Sequence, residues 1–200
     1  MKAAILKEIG KIEVEEVKVP KCIPQSILIK VEVSALCGSD IRAFRTGRKQ
    51  LSLPQIMGHE IVGTVVQIGR DAPDVQEGDR LAVVPSIPCG QCRICKRGLS
   101  PDLCPNHLSI GFAYPGGFAE YMLIPPMAVR SRSYVPVPDT LDFETAVLAE
   151  PLGCVIHGQN LVRTSVGDRV VVIGAGPIGC MHALVARHHG AGQVILMQRS

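Results

Sequence analysis

The sequence predicts a β-rich, loop-rich first domain followed by the beginning of an α/β domain. Up to about Asp139, short apolar or alternating runs are broken by Gly and Pro. Within that stretch, Cys89, Cys92, Cys95 and Cys104 crowd into a single loop. After Asp168 an apolar run leads into a glycine-rich turn and then a helical pattern. These changes divide the chain into residues 1–150 and 151–200.

The strands expected in the first part are Ile27 to Val33, Ile61 to Ile68, Arg80 to Val84 and Phe118 to Ile124, all strand-like in length and patterning. From Thr140 the period changes. Phe143, Val147, Leu148 and Leu152 recur at helical spacing, so a helix is expected there. A Gly167-Asp168 turn then introduces a strand over Val170 to Ile173, a helix from Pro177 to His189 stopped by Gly190, and a second strand from Gln193 to Met197.

Composition sets the outer bounds. The chain has 200 residues, of which 46% are apolar, with no Trp, which describes a protein able to bury a core. A formal charge of +3, with signs well mixed, argues against nucleic acid and anionic membrane surfaces as partners. No apolar run approaches the length of a membrane span. Met1 to Ala4 do not resemble the start of a secretory signal, and eight Cys then point to a reducing compartment, with cytoplasm expected.

Two successive Cys-x-x-Cys steps, Cys89 to Cys92 to Cys95, with Cys104 following, have the spacing of a closed tetrahedral zinc site. Pro88, Gly90 and Gly98 permit sharp turns, and Lys96 and Arg97 offset the charge of a tetrathiolate centre. A disulfide knot is the alternative. Four thiolates leave no open position, so this metal staples a loop and performs no chemistry.

The turn after Val170 to Ile173 reads Gly174-Ala175-Gly176-Pro177-Ile178-Gly179, a G-x-G-x-x-G between a strand and a helix, which is the context of a dinucleotide site. Gly174 allows the tight turn, Gly176 lets the backbone approach a pyrophosphate, and Gly179 lets helix and strand pack closely. Pro177 suits the first helical position. An NAD-preferring site places an acidic residue near the end of the second strand, and here Gln198, Arg199 and Ser200 follow Met197 instead. A guanidinium pairs well with a 2′-phosphate, so NADP is expected over NAD. A solvated arginine at a strand end is the plainer alternative. One strand, one helix and a second strand are too little for a doubly wound sheet, so a truncated part of a longer protein is expected. A natural short form completed by a partner is the alternative.

Cys37, His59 and Glu150 lie too far apart for spacing alone to unite them as ligands. Taken in order, however, Cys37-Gly38-Ser39-Asp40, Gly58-His59-Glu60 with Gly63, Gly78-Asp79-Arg80, the four-cysteine loop, Gly116 to Tyr121, Glu150-Pro151-Leu152 and the glycine loop resemble the zinc-containing medium-chain dehydrogenases, in their sorbitol and threonine dehydrogenase-like branch. The resemblance implies a GroES-like catalytic domain followed by a Rossmann dinucleotide-binding domain. It also implies Cys37, His59 and Glu150 as catalytic zinc ligands, with Glu60 an additional or exchangeable carboxylate. In the same way it implies Ser39 as the hydroxyl that takes the alcohol proton and Asp40 as the partner that orients His59. The expected activity is hydride transfer between a secondary alcohol, such as a polyol or sugar, and a nicotinamide cofactor. For the full-length protein a small-molecule alcohol or ketone partner and a homo-oligomer, dimer or tetramer, are expected. A zinc-stapled, non-catalytic nucleotide-binding or structural fragment is the alternative.

Two positions depart from the family pattern. Arg42 stands where many members carry a histidine that passes the proton to solvent, and arginine cannot act as a base near neutral pH. The loop from Cys95 to Cys104 is one residue longer than usual, which adds little closure entropy, so the site is expected to survive. Phe44 and Phe112 are candidate pocket aromatics, whereas Cys22, Cys154 and Cys180 read as small hydrophobes.

Overall fold

The computed structural model describes residues 1–72 and 75–199, which form two compact units, Met1–Val147 and Leu148–Ser200. In the first unit the chain begins with an antiparallel pair, β1 (Lys2–Glu8) and β2 (Lys11–Glu16). It continues through β3 (Ile27–Ala35), α1 (Gly38–Thr46), the short β4 (Gln55–Ile56), β5 (Glu60–Ile68) and β6 (Arg80–Val83). The cysteine loop lies between β7 (Ser86–Ile87) and β8 (Leu108–Ser109) and contains the one-turn α2 (Arg93–Lys96). β9 (Tyr121–Ile124), α3 (Pro126–Arg130), β10 (Tyr134–Pro136) and the single turn α4 (Phe143–Ala146) complete the unit.

The central sheet has the order β10-β6-β5-β3-β9 and is antiparallel throughout, and a second sheet has the order β2-β1-β4. β3 opens with three consecutive buried residues, Ile27, Leu28 and Ile29. Ile27 and Ile29, on one face of the strand, pack with Ile61, Val65, Leu81, Val83, Met122 and Ile124 into the main core. A smaller cluster of Leu6, Ala43, Met57 and Phe112 lies beneath α1 and brings Phe112 towards the metal-ligand candidates.

The strand expected over Phe118 to Ile124 is shorter than its apolar pattern suggested. Phe118 to Glu120 pair with β1 instead, through Ala4 N–H to Phe118 O at 2.8 Å and a bridge between Ala3 and Ala119. Tyr121 to Ile124 pair with β3, and Glu120 serves both strands, its amide donating to Lys2 O at 3.1 Å and its carbonyl accepting from Val31 N–H at 2.9 Å. The segment is extended throughout, but it serves two sheets.

The helix expected from Phe143 to Leu152 is divided. α4 is capped by Asp142, whose Oδ1 accepts from Thr145 N–H at 2.6 Å, and a new helix, α5 (Ala149–Val162), begins in the second unit. Pro151 has no amide hydrogen to give the carbonyl of Val147, so a continuous helix across this point is not available. β11 (Arg169–Ile173), α6 (Pro177–His188) and β12 (Gln193–Met197) follow, with β11 and β12 parallel and in register from Arg169/Gln193 to Ile173/Met197. This pair leaves apolar side chains in the open, with Ile173 86% and Val171 54% exposed. Cys154 and Cys180, read from the sequence as small hydrophobes, are exposed on α5 and α6.

Candidate metal centres and cofactor loop

The first site is built at the N-terminus of α1. Cys37 precedes the helix and Asp40 sits in its first turn, where Asp40 Oδ2 accepts from the Cys37 amide at 3.0 Å. A carboxylate there satisfies an orphan amide and complements the helix dipole. Its other oxygen, Oδ1, lies 3.2 Å from His59 Nδ1. One acidic side chain thus fixes both the cysteine backbone and the imidazole.

His59 reaches this position because of its neighbours in sequence. Gly58 has φ +90°, and a Cβ there would meet the Phe118 ring at 2.6 Å. The Gly58 carbonyl accepts from Gly117 N–H at 3.0 Å, while Phe118 N–H bonds to Met57 O at 3.0 Å. The Gly58-His59-Glu60 and Gly116-Gly117 motifs are therefore two sides of one backbone contact. Glu60 then begins β5, paired opposite Ala35.

The result is a cluster in which ligand atoms of Cys37, His59 and Glu60 all lie within 4.8 Å of one another. His59 is only 7% exposed. With the Asp40 carboxylate accepting the Nδ1 hydrogen, Nε2 is left to ligate; it faces Ser39 Oγ at 3.3 Å. Burial pulls the imidazole pKa down, but the hydrogen bond and charge of Asp40, and then Cys37, outweigh it and raise the group to about 9. An imidazole pressed between a carboxylate and a thiol, beside a second carboxylate, is a set of donors that fits a divalent cation of the zinc type.

Phe112 packs its ring 5.4 Å from that of His59, so one of the two candidate aromatics does touch the cluster. Glu150 belongs to the second unit, in the first turn of α5, where its Oε1 is 4.0 Å from Cys154 Sγ.

The four-cysteine loop also converges. Sγ separations are 3.4 Å for Cys92 to Cys95, 3.8 Å for Cys92 to Cys104 and 4.0 Å for Cys89 to Cys95. A tetrahedral zinc with bonds of about 2.3 Å spaces its sulfurs about 3.8 Å apart, so the thiols fit that ion, and these four cysteines form no disulfide. A 3₁₀ turn over Pro101–Leu103 leads directly into Cys104, the most buried of the four. Backbone N–H groups of Gln91 and Cys92 lower the Cys89 pKa to about 6, and that of Cys95 lowers Cys92, whereas desolvation and then Cys92 push Cys95 up to about 12. Amides aimed at sulfur favour the thiolate a metal requires.

In the second unit, Gly174 has φ +110°, and a Cβ on Gly179 would lie 1.7 Å from the Gly174 carbonyl oxygen. The loop therefore closes only with glycine at these positions. A Cβ on Gly176 would meet nothing within 4 Å, which leaves open space over the N-terminus of α6, where Pro177 and Ile178 start the helix. That space suits a pyrophosphate. Gln198 has a contact that sequence reasoning missed: its Oε1 accepts from the Ala175 amide at 2.7 Å and ties the end of β12 to the glycine loop. Its Nε2 donates to the Arg199 carbonyl at 2.9 Å, and Arg199 itself is exposed. Ser200 lies outside the described residues. Among the described residues no helix is long and apolar enough to cross a membrane.

Comparison with known proteins agrees with this geometry. The family model of the alcohol dehydrogenase GroES-like domain matches residues 23–139. An L-threonine 3-dehydrogenase of Mesorhizobium japonicum is 40% identical over 185 residues, which cover 91% of this chain and 52% of that protein. The L-threonine 3-dehydrogenase of Escherichia coli K12 is 36% identical over 200 residues, covering 96% and 57%. Among solved structures, a Sinorhizobium meliloti protein described as a putative zinc-binding dehydrogenase, bound to NADP, superposes with a TM-score of 0.91 at 37% identity, covering 100% of this chain and 56% of that one. Galactitol-1-phosphate dehydrogenase of Escherichia coli gives a TM-score of 0.89 at 29% identity, covering 98% and 55%. The chain belongs to the zinc-containing medium-chain alcohol dehydrogenase superfamily. It spans about half the length of the curated relatives it matches.

Proposed function

We propose that this chain is the catalytic domain and the first part of the Rossmann domain of a zinc-dependent dehydrogenase that moves a hydride between a small secondary alcohol and a nicotinamide cofactor. The catalytic part runs to about Glu150 and the cofactor part begins directly after it. The observation that carries the reading is the convergence of Cys37, His59 and Glu60, with His59 oriented by Asp40.

In this reading Cys37, His59 and a carboxylate, Glu150 with Glu60 as the exchangeable partner, hold the catalytic zinc, and the four cysteines hold a structural one. When bound, the catalytic ion acidifies the substrate hydroxyl and polarises the carbonyl in the reverse direction. Ser39 Oγ, beside the ligating edge of His59, takes the hydroxyl proton. Asp40 keeps the imidazole in the tautomer that leaves Nε2 unprotonated. Arg42 cannot carry the proton onward, so it leaves from Ser39 without help from that position. Gly174, Gly176 and Gly179 shape the turn that would receive the cofactor pyrophosphate, and a nicotinamide held there would supply the hydride acceptor.

NADP is the preferred cofactor in this reading. The end of β12 offers Gln198, Arg199 and Ser200 in place of an acidic residue, and the Sinorhizobium meliloti relative was solved with NADP. The substrate is a hydroxylated small molecule, since relatives are named for L-threonine and galactitol 1-phosphate. Eight cysteines outside any disulfide suit a reducing compartment, the cytoplasm. We place the full-length protein in a homo-oligomer, a dimer or tetramer.

A second reading, a zinc-stapled module without turnover, is favoured by the convergence of the four cysteines, which requires no catalytic centre. Assaying the full-length protein with a panel of polyols, hydroxy amino acids and ketones and with both cofactors separates the two. Zinc-dependent reduction of NADP is the result expected. A full-length protein loaded with two zinc ions that turns over none of the panel leaves the second reading standing.

A further inference from the structure

Arg48 occupies an unusual position for an exposed cation. Its guanidinium carbon lies 4.1 Å above the centroid of the Phe112 ring, and that ring is the one packed against His59. Phe112 is a fixed platform, 2% exposed, with its carbonyl accepting from Gln55 Nε2 at 2.8 Å. The loop that carries Arg48 is anchored as well, because Gln50 Nε2 donates to the His107 carbonyl at 3.1 Å. Among the described residues Arg48 has no acidic partner, and Arg42, Arg45 and Lys49 around it are cations too.

A guanidinium stacked on an aromatic face is held in one plane, and its fork of N–H donors points outward in that plane. Such a fork matches a carboxylate or a phosphate in two parallel hydrogen bonds. Here it stands one aromatic ring away from the imidazole of the candidate metal centre. A substrate whose hydroxyl reaches that centre would present a substituent a few bonds away to this fork.

We propose that Arg48 is a specificity-determining residue that selects substrates carrying an anionic group, a carboxylate or a phosphate, on the same carbon chain as the reacting hydroxyl. The inference rests on the dehydrogenase reading above. Preorganisation of the guanidinium by Phe112 lowers the ordering cost of the contact, so the preference is expressed in binding.

The test measures binding by calorimetry to the full-length, zinc-loaded protein, together with turnover. The probes are two matched pairs, hydroxybutyrate against butanediol and a hexitol phosphate against the free hexitol. The wild type is expected to bind at least one anion roughly ten- to a hundredfold more tightly than its neutral counterpart, and the pair that shows it tells carboxylate from phosphate. Arg48→Gln should abolish that ratio, and Arg48→Lys should keep only part of it. Arg45→Gln, which removes the same charge from α1, should leave it intact. No anion preference in the wild type, or a preference that survives Arg48→Gln, overturns the proposal. The predicted binding pattern without any reduction of NAD or NADP overturns the dehydrogenase reading and leaves the role of Arg48 supported.

Discussion

Asp40 binds His59 with one carboxylate oxygen, at 3.2 Å from Nδ1, and the backbone of Cys37 with the other, at 3.0 Å. Two candidate ligands separated by α1 and β4 are thus placed by a single side chain. Asp40→Asn retains the shape but removes the charge that fixes the tautomer. Partners of this kind typically contribute about 10–100-fold in metal affinity. Dialysis of Asp40→Asn against a graded chelator should release one zinc at a concentration about that much lower than in the wild type, with the second ion retained. Unchanged release of both ions would show that Asp40 only caps the helix.

The raised pKa of His59 has a defined pH consequence for the metal-free protein. Because the folded value, about 9, exceeds the ordinary imidazole value of 6.5, protonation stabilises the fold fully below about 6.5, and that stability is lost as pH rises through about 9. Zinc must displace that proton. Apparent affinity at this centre should therefore rise about tenfold per pH unit from His59 alone between roughly 7 and 9, then flatten. A flat titration over that window contradicts the assigned contact with Asp40.

In the proposed reading Cys92 helps hold a structural zinc with no chemical task, so its replacement should act on stability. Cys92→Ser should cost about 4 kcal/mol, the range of a lost metal ligand, and lower the unfolding midpoint by about 8–16 °C. Differential scanning calorimetry with zinc analysis of the same sample checks this. An unchanged midpoint with one zinc fewer would mean that the loop needs no staple.

Cofactor choice turns on the end of β12. Arg199→Ala should weaken NADP by about one to two powers of ten, the worth of a charge-assisted contact, and leave NAD nearly unchanged. Gln198→Asp should shift preference towards NAD while also loosening the Ala175 amide that Gln198 now holds at 2.7 Å. Fluorescence titration of both cofactors measures this, and equal losses for both in Arg199→Ala would mark it as a solvated strand end.

Much of this was legible in the sequence, because the informative residues are punctuators and ligands. Gly174 and Gly179 announced their turn, since no other residue fits φ +110° or a carbonyl 1.7 Å from the added carbon. The cysteine spacing announced its loop. What stayed hidden depends on partners distant in sequence. The division of Phe118 to Ile124 between two sheets is decided by β1, more than a hundred residues earlier. The contact of Arg48 with Phe112 joins residues that no periodicity relates. The Gln198 bond to Ala175 likewise exists only once the parallel pair has formed.

The central claim is that a catalytic zinc sits at Cys37, His59 and a carboxylate. Zinc content of the full-length protein, by elemental analysis of wild type and Cys37→Ser with alcohol turnover measured on the same samples, tests it most directly. The account predicts two zinc ions per chain in the wild type, one in Cys37→Ser, and no hydride transfer by the variant. A wild type with a single zinc, or a Cys37→Ser protein that keeps both ions and its turnover, would contradict it.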